Sequence, residues 1–255
     1  MKNRSKERPP VNDQRIVHDA LCDGRVEGFI AKTYFTKEAI PKRDRERVLR
    51  ATFRRYNPRQ QSIPKRIMKH ANEEASESDR RIAAASLTRG DVLRLMRRFN
   101  IRILHTYLAG DVHIQPLKIS DGTPIEDIGS GDFYNRTDSD IMARNNECFR
   151  FIRDTLGVGV LVVDQLDVRD GKIKAEEAGC DMRFGNPAAE EADMQAISTH
   201  YAHRLDVFCT EDAGKNAGGN SVMKAENKEA LTERFGIQFR TLSELANWLS
   251  SDLGF

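Results

Sequence analysis

AAEEADMQAISTHYAHRLDVFCTED, residues 188–212, decides the fold. Its first part, 188–205, carries apolar residues at helical spacing, and DVFCT (206–210) then reads as a short buried strand. A Gly-rich loop, 211–221, leads to a helix at 224–236, a strand at 237–241 and a last helix at 242–253. Working back toward the N-terminus, the same rhythm returns. Residues 138–157 form a helix with Ile141, Cys148, Phe149 and Ile152 inward, followed by VGVLVVD (158–164), the most apolar run in the chain. Residues 88–100 form a helix with Val92, Leu95, Met96 and Phe99 inward, followed by a strand at 101–108. Earlier still, a helix at 13–24 with Asp13 as its N-cap buries Ile16, Val17, Ala20 and Leu21, and VEGFIAKT (26–33) follows as a strand. Helices alternating with short strands are the pattern of a parallel sheet, so the fold class is α/β.

The chain has 255 residues and a formal net charge of +2, which hides an asymmetry. Residues 1–106 hold 26 Lys and Arg against 13 Asp and Glu, while the remainder holds 15 against 26. The densest basic stretch, 41–70, has 11 basic and 2 acidic residues. Guanidinium groups are planar, permanently charged and suited to phosphate, so Lys42, Arg43, Arg45, Arg54 and Arg55 are candidate nucleic-acid contacts. A solvated helix face is the competing reading of the same residues. No apolar run approaches the ~20 residues of a membrane span, and residues 1–12 are polar, Pro-bearing and expected to be flexible. Cys22, Cys148, Cys180 and Cys209 are scattered without a C-x-x-C pair, which argues against a disulfide framework or zinc knuckle and for a cytoplasmic setting.

Open parallel sheets place their sites at the carboxyl ends of the strands. Asp212 follows the 206–210 strand, and the Thr210 hydroxyl is placed to orient its carboxylate. Asp193 lies in the helix leading into that strand, and Glu38 just past the 26–33 strand. Separated carboxylates without a Cys or His cluster suit a hard cation such as Mg²⁺ or Mn²⁺, which activates water for phosphodiester cleavage. Glu190 is an auxiliary candidate, and Glu190 and Glu191 are placed in the first turn of their helix. Asp164 and Asp167, after the 158–164 run, are further acids at a carboxyl edge.

The stretch from Ala188 to Gly219, followed by EALTERFGIQFRTLSELANWL, resembles the C-terminal half of a PIN domain. That family shows an Asp early in a helix, a short apolar strand ending in Thr-x-Asp, another helix, a Phe-Gly-Ile-like strand and a T-x-x-E-L helix. Asp193 matches the helix acid and Thr210-Glu211-Asp212 the strand-end motif. DALCDGRVEGFIAKTYFTKEAI resembles the family's earlier helix, strand and second acid, with Glu38 in that role. The family's opening strand ending in Asp has no counterpart before Asp13. The resemblance implies a single PIN-like domain over 13–255, a parallel sheet between helices in three α/β/α layers. It would carry a long central insertion, with variable segments around 57–79 and 110–187. It also implies a metal-dependent ribonuclease with Glu38, Asp193 and Asp212 as metal ligands and RNA as partner. A protein inhibitor or self-association stays open. The alternative is a catalytically impaired module that binds nucleic acid or protein.

The histidines show no metal-ligand pairing apart from His200 and His203, spaced i, i+3 on a helix and expected to serve packing or surface roles. Cys22, Cys148 and Cys209 are expected to be small buried apolar residues.

Overall fold

The computed structural model describes residues 9–34, 89–106, 129–135, 138–158, 168–169, 172–173, 185–214 and 221–252. The chain alternates helices with short strands, most of them in parallel pairs, as an α/β sequence pattern requires. Helix α1 (Val11–Cys22) precedes strand β1 (Phe29–Ala31), and α2 (Arg89–Arg98) precedes β2 (Arg102–Leu104). Helix α3 (Ile141–Arg150) runs on as one wider π turn, Phe151–Thr155. A two-residue antiparallel pair, β3 (Val168–Arg169) with β4 (Lys172–Ile173), lies in the polar stretch before α4 (Gly185–Ala202). Strand β5 (Val207–Cys209), helix α5 (Ala225–Phe235), strand β6 (Gln238–Arg240) and helix α6 (Leu242–Asp252) complete the order.

Strands β1 and β2 pair in parallel with Ala31 opposite Leu104, and β5 and β6 pair in parallel with Cys209 opposite Arg240. Phe133 adds a parallel bridge to Ile103, so the Gly- and Asp-rich stretch expected to be loop contributes to the sheet there. Apolar periodicity explains the packing. Met194 and Ile197 of α4 meet Cys148 and Phe149 of α3, Ile152 of the π turn and Leu231 of α5 in one buried core. A second core gathers Leu93 and Met96 of α2 on Ile103 of β2. The four residues expected to face inward from α3 are all buried.

Several local expectations change. Helix α1 begins at Val11 after Pro10, which puts Asp13 in the first turn instead of at the cap. Of its expected inward face only Ala20 is fully buried, and Ile16, Val17 and Leu21 are half-buried. On α2, Leu93 takes the core position one turn before Met96, and Leu95 is exposed, while Val92 and Phe99 are half-buried at the margin of that face. Strand β5 is only half-buried, and Cys209 at its end and Cys22 are exposed. Cys148 alone of the three is buried, which pushes its thiol up to about 12. His200 and His203 are both buried, in keeping with a packing role.

Helix ends are closed by local polar chemistry. Gly236 takes a left-handed φ of 71° just past α5, where its N–H reaches the Thr232 carbonyl at 2.8 Å. Thr241 and Glu244 form a reciprocal cap on α6: the Thr241 N–H donates to Glu244 Oε2 at 2.7 Å and the Glu244 N–H to Thr241 Oγ1 at 3.2 Å. Arg144 of α3 donates through Nε and a terminal nitrogen to the Ala202 carbonyl at 2.9 and 2.7 Å, gripping the last turn of α4 while pairing with Asp138. Among the described residues no helix is long and apolar enough to cross a membrane.

Candidate active site at the carboxyl edge

Helix α4 approaches both strand pairs. Just past its C-terminal end lies His203, whose ring is 6.0 Å from Tyr134, which in turn is 4.9 Å from Phe29 at the start of β1. Toward its other end, Glu190 feels the charge of Asp212, just beyond the finish of β5. The helix thus spans from the aromatic residues beside β1 to the loop at the carboxyl end of β5.

At the carboxyl end of β5 Asp212 is exposed, in the loop that leaves the strand. Its backbone N–H donates to the Thr210 hydroxyl at 3.0 Å, and its carboxylate oxygen Oδ1 accepts the Gly214 N–H at 2.8 Å. Thr210 thus positions the Asp212 backbone, and the Gly214 amide, not the Thr210 hydroxyl, is seen to hold the carboxylate. Gly214 is required here. Its φ is +65°, and a Cβ would come within 2.8 Å of the Lys224 backbone nitrogen. Lys228 of α5 donates to the Asp212 carbonyl at 3.2 Å. Glu211 between the two motif residues has a structural task, accepting the Leu242 N–H at 2.8 Å at the start of α6.

Glu190 is the acid on which the Asp212 charge acts. It is half-buried on α4, and burial pushes its carboxyl above the usual range. Hydrogen bonds from the Ser221 hydroxyl and the Val222 N–H pull in the other direction, and the Asp212 carboxylate adds a further upward push. Its Oε2 is buried with no hydrogen-bond partner among the described residues. Ser221 is itself held by the turn into α5, where its Oγ accepts the Met223 N–H and its carbonyl the buried Asn227 side chain. Sequence spacing placed Glu190 and Glu191 in the first turn of their helix. The helix begins at Gly185, so both fall in the second turn and Asp193 one turn further along, half-buried. The hold of Ser221 and Val222 on Glu190 joins residues some thirty apart in the chain, which no local motif announces.

Two neighbouring carboxylates, one with a desolvated and unpaired oxygen, are donors that a hard divalent cation would satisfy. Among the described residues no three His, Cys, Asp or Glu side chains gather as a metal cage. Glu38, Lys42, Arg43, Arg45, Arg54, Arg55, Asp164 and Asp167 lie outside the described residues.

Comparison of the chain with protein-family models, with curated proteins and with solved structures finds no match in any of the three.

Proposed function

We propose that this chain is a PIN-like, divalent-metal-dependent ribonuclease. The observation that carries the reading is the coupling of Glu190 to Asp212 at the carboxyl edge of a parallel strand, with an unpaired Glu190 oxygen. Glu190 and Asp212 would hold Mg²⁺ or Mn²⁺, with Asp193 one helical turn along and Glu38 the acid added from sequence. When bound, such an ion lowers the pKa of a water and screens charge on the phosphodiester. The chain's own residues prepare the edge for it. The Gly214 amide orients the Asp212 carboxylate, Thr210 pins the Asp212 backbone, and Ser221 with Val222 N–H holds Glu190. Burial of Glu190 excludes water from one of its oxygens and leaves that oxygen available to an ion. The PIN-like, three-layer arrangement of 13–255 and its long central insertion belong to this proposal, as do RNA as substrate and a cytoplasmic setting.

The test is cleavage of labelled single-stranded RNA with Mn²⁺, beside Asp212→Asn and Glu190→Gln. Cleavage by the native chain and its loss in both variants is the expected result. Equal cleavage by all three proteins would refute the site. Retention of RNA without any cleavage would favour the binding-module alternative.

A further inference from the structure

The β5–β6 pair ends in a cation that the site above does not use. The strands are parallel with Cys209 opposite Arg240, and the Thr210 N–H donates to the Arg240 carbonyl at 2.9 Å. Arg240 therefore closes β6 at the same end from which Asp212 leaves β5. Its guanidinium stands over the Trp248 ring of α6, 5.6 Å from the centroid. Its Nε is buried and has no hydrogen-bond partner among the described residues. Its two terminal nitrogens neither donate a hydrogen bond nor join an ion pair there, and they are not among the buried atoms, so they reach solvent. The acids of the same edge are committed elsewhere. Glu244 Oε2 accepts the Thr241 N–H at 2.7 Å and the Thr241 hydroxyl at 3.0 Å, and Glu211 Oε1 accepts the Leu242 N–H at 2.8 Å. A permanent charge with one desolvated nitrogen, a braced stem and an open fork is a shape that an oxyanion fills.

We propose that Arg240, braced on Trp248, binds a phosphodiester of single-stranded RNA, while another linkage of the same strand lies at Glu190 and Asp212. The identity of the polymer rests on the ribonuclease reading above. The position rests only on the β5–β6 register and the Trp248 stack. Paired strands lie ~4.8 Å apart, so an RNA backbone crossing from the end of β5 to the end of β6 passes from the acids to the guanidinium.

Trp248 is the single tryptophan of the chain, so its emission reports on this station. The experiment titrates the protein with oligouridine in Ca²⁺, following Trp248 emission and, with a fluorescein-labelled oligomer, anisotropy. Ca²⁺ takes carboxylate oxygens as ligands and relieves their repulsion of RNA. Gels check that the oligomer stays intact. The proteins are the native chain, Arg240→Gln, Arg240→Lys and Arg234→Gln, the last removing a charge paired with Glu147 of α3. Circular dichroism melts confirm that each variant is folded. The native chain is expected to bind with a saturable change in emission. Arg240→Gln should weaken binding about tenfold and lose the emission change. Arg240→Lys keeps the charge without the planar fork and should weaken binding about threefold. If Arg240→Gln melts early, this variant carries the comparison, and native-level binding by it refutes the fork. Arg234→Gln should bind as the native chain does. Native-level affinity in folded Arg240→Gln, an equal loss in Arg234→Gln, or no oligouridine binding by the native chain would overturn the proposal. Cleavage of RNA under Mn²⁺ together with native-level binding by Arg240→Gln would sink this station and leave the nuclease reading standing. Arg240-dependent binding with no cleavage would do the reverse.

Discussion

Acid should loosen this protein through one buried ring. His200 is only 4% exposed, its Nε2 has no hydrogen-bond partner among the described residues, and it meets Phe208 edge-on at 5.4 Å. Burial lowers its pKa from 6.5 to about 4. The folded state therefore holds a neutral imidazole where the unfolded chain takes up a proton. As pH falls through about 6.5 the unfolded state gains that proton first, so stability drops. The loss stops growing once the folded pKa is passed, near 4. The gap corresponds to about 3 kcal/mol in full and about 2 kcal/mol by about pH 5. Urea unfolding followed by circular dichroism at about pH 7.5 and about pH 5 measures it. Other histidines and carboxyls titrate in the same window, so the informative quantity is a difference. His200→Leu fills the site without a titrating nitrogen, and its loss between the two pH values should be smaller than the native loss by about 2 kcal/mol. An identical pH dependence in native and variant proteins would refute the argument.

Thiol chemistry should sort the cysteines. Iodoacetamide under native conditions is expected to label exposed Cys22 well before Cys148, whose thiol is pushed up to about 12 by burial; peptide mass mapping reads the order. Thr241→Ala removes one half of the reciprocal cap on α6 and should cost about 1 kcal/mol in urea unfolding at neutral pH. Gly214→Ala forces a left-handed φ on a residue with a Cβ and drives that atom against the Lys224 backbone. It should destabilise by at least about 1 kcal/mol and, by shifting the amide that holds Asp212, lower RNA cleavage more than it lowers the melting temperature.

What the sequence made legible was periodic or local. Helix–strand alternation in 185–252 follows from apolar spacing and from Gly236, which ends α5 where a left-handed residue is needed. Asp212 was found because a short strand giving way to polar residues marks a carboxyl end. The spacing points to Leu95 where Leu93 is the buried residue, because an Arg-rich helix has few apolar residues with which to fix its phase. Glu190 stands only as an auxiliary because the residues that hold it, Ser221 and Val222, come some thirty residues later in the chain. Phe133 joins its neighbours by a single bridge after a Gly-rich stretch, too short to leave any period, and its stack with His105 is hidden with it. The π turn at Phe151–Thr155 continues an α-helical pattern and has no separate signature.

The grip of Arg144 on the Ala202 carbonyl reaches further than its own corner. Helix α4 is a rod rising ~1.5 Å per residue, so Glu190 stands ~18 Å from the clamped carbonyl. Holding one tip of a rod sets the height of the other. A slip of one residue at the Arg144 end would lift Glu190 by ~1.5 Å, enough to part it from the Ser221 turn. The guanidinium at the floor of the molecule is in this sense a ruler for the acid at its rim.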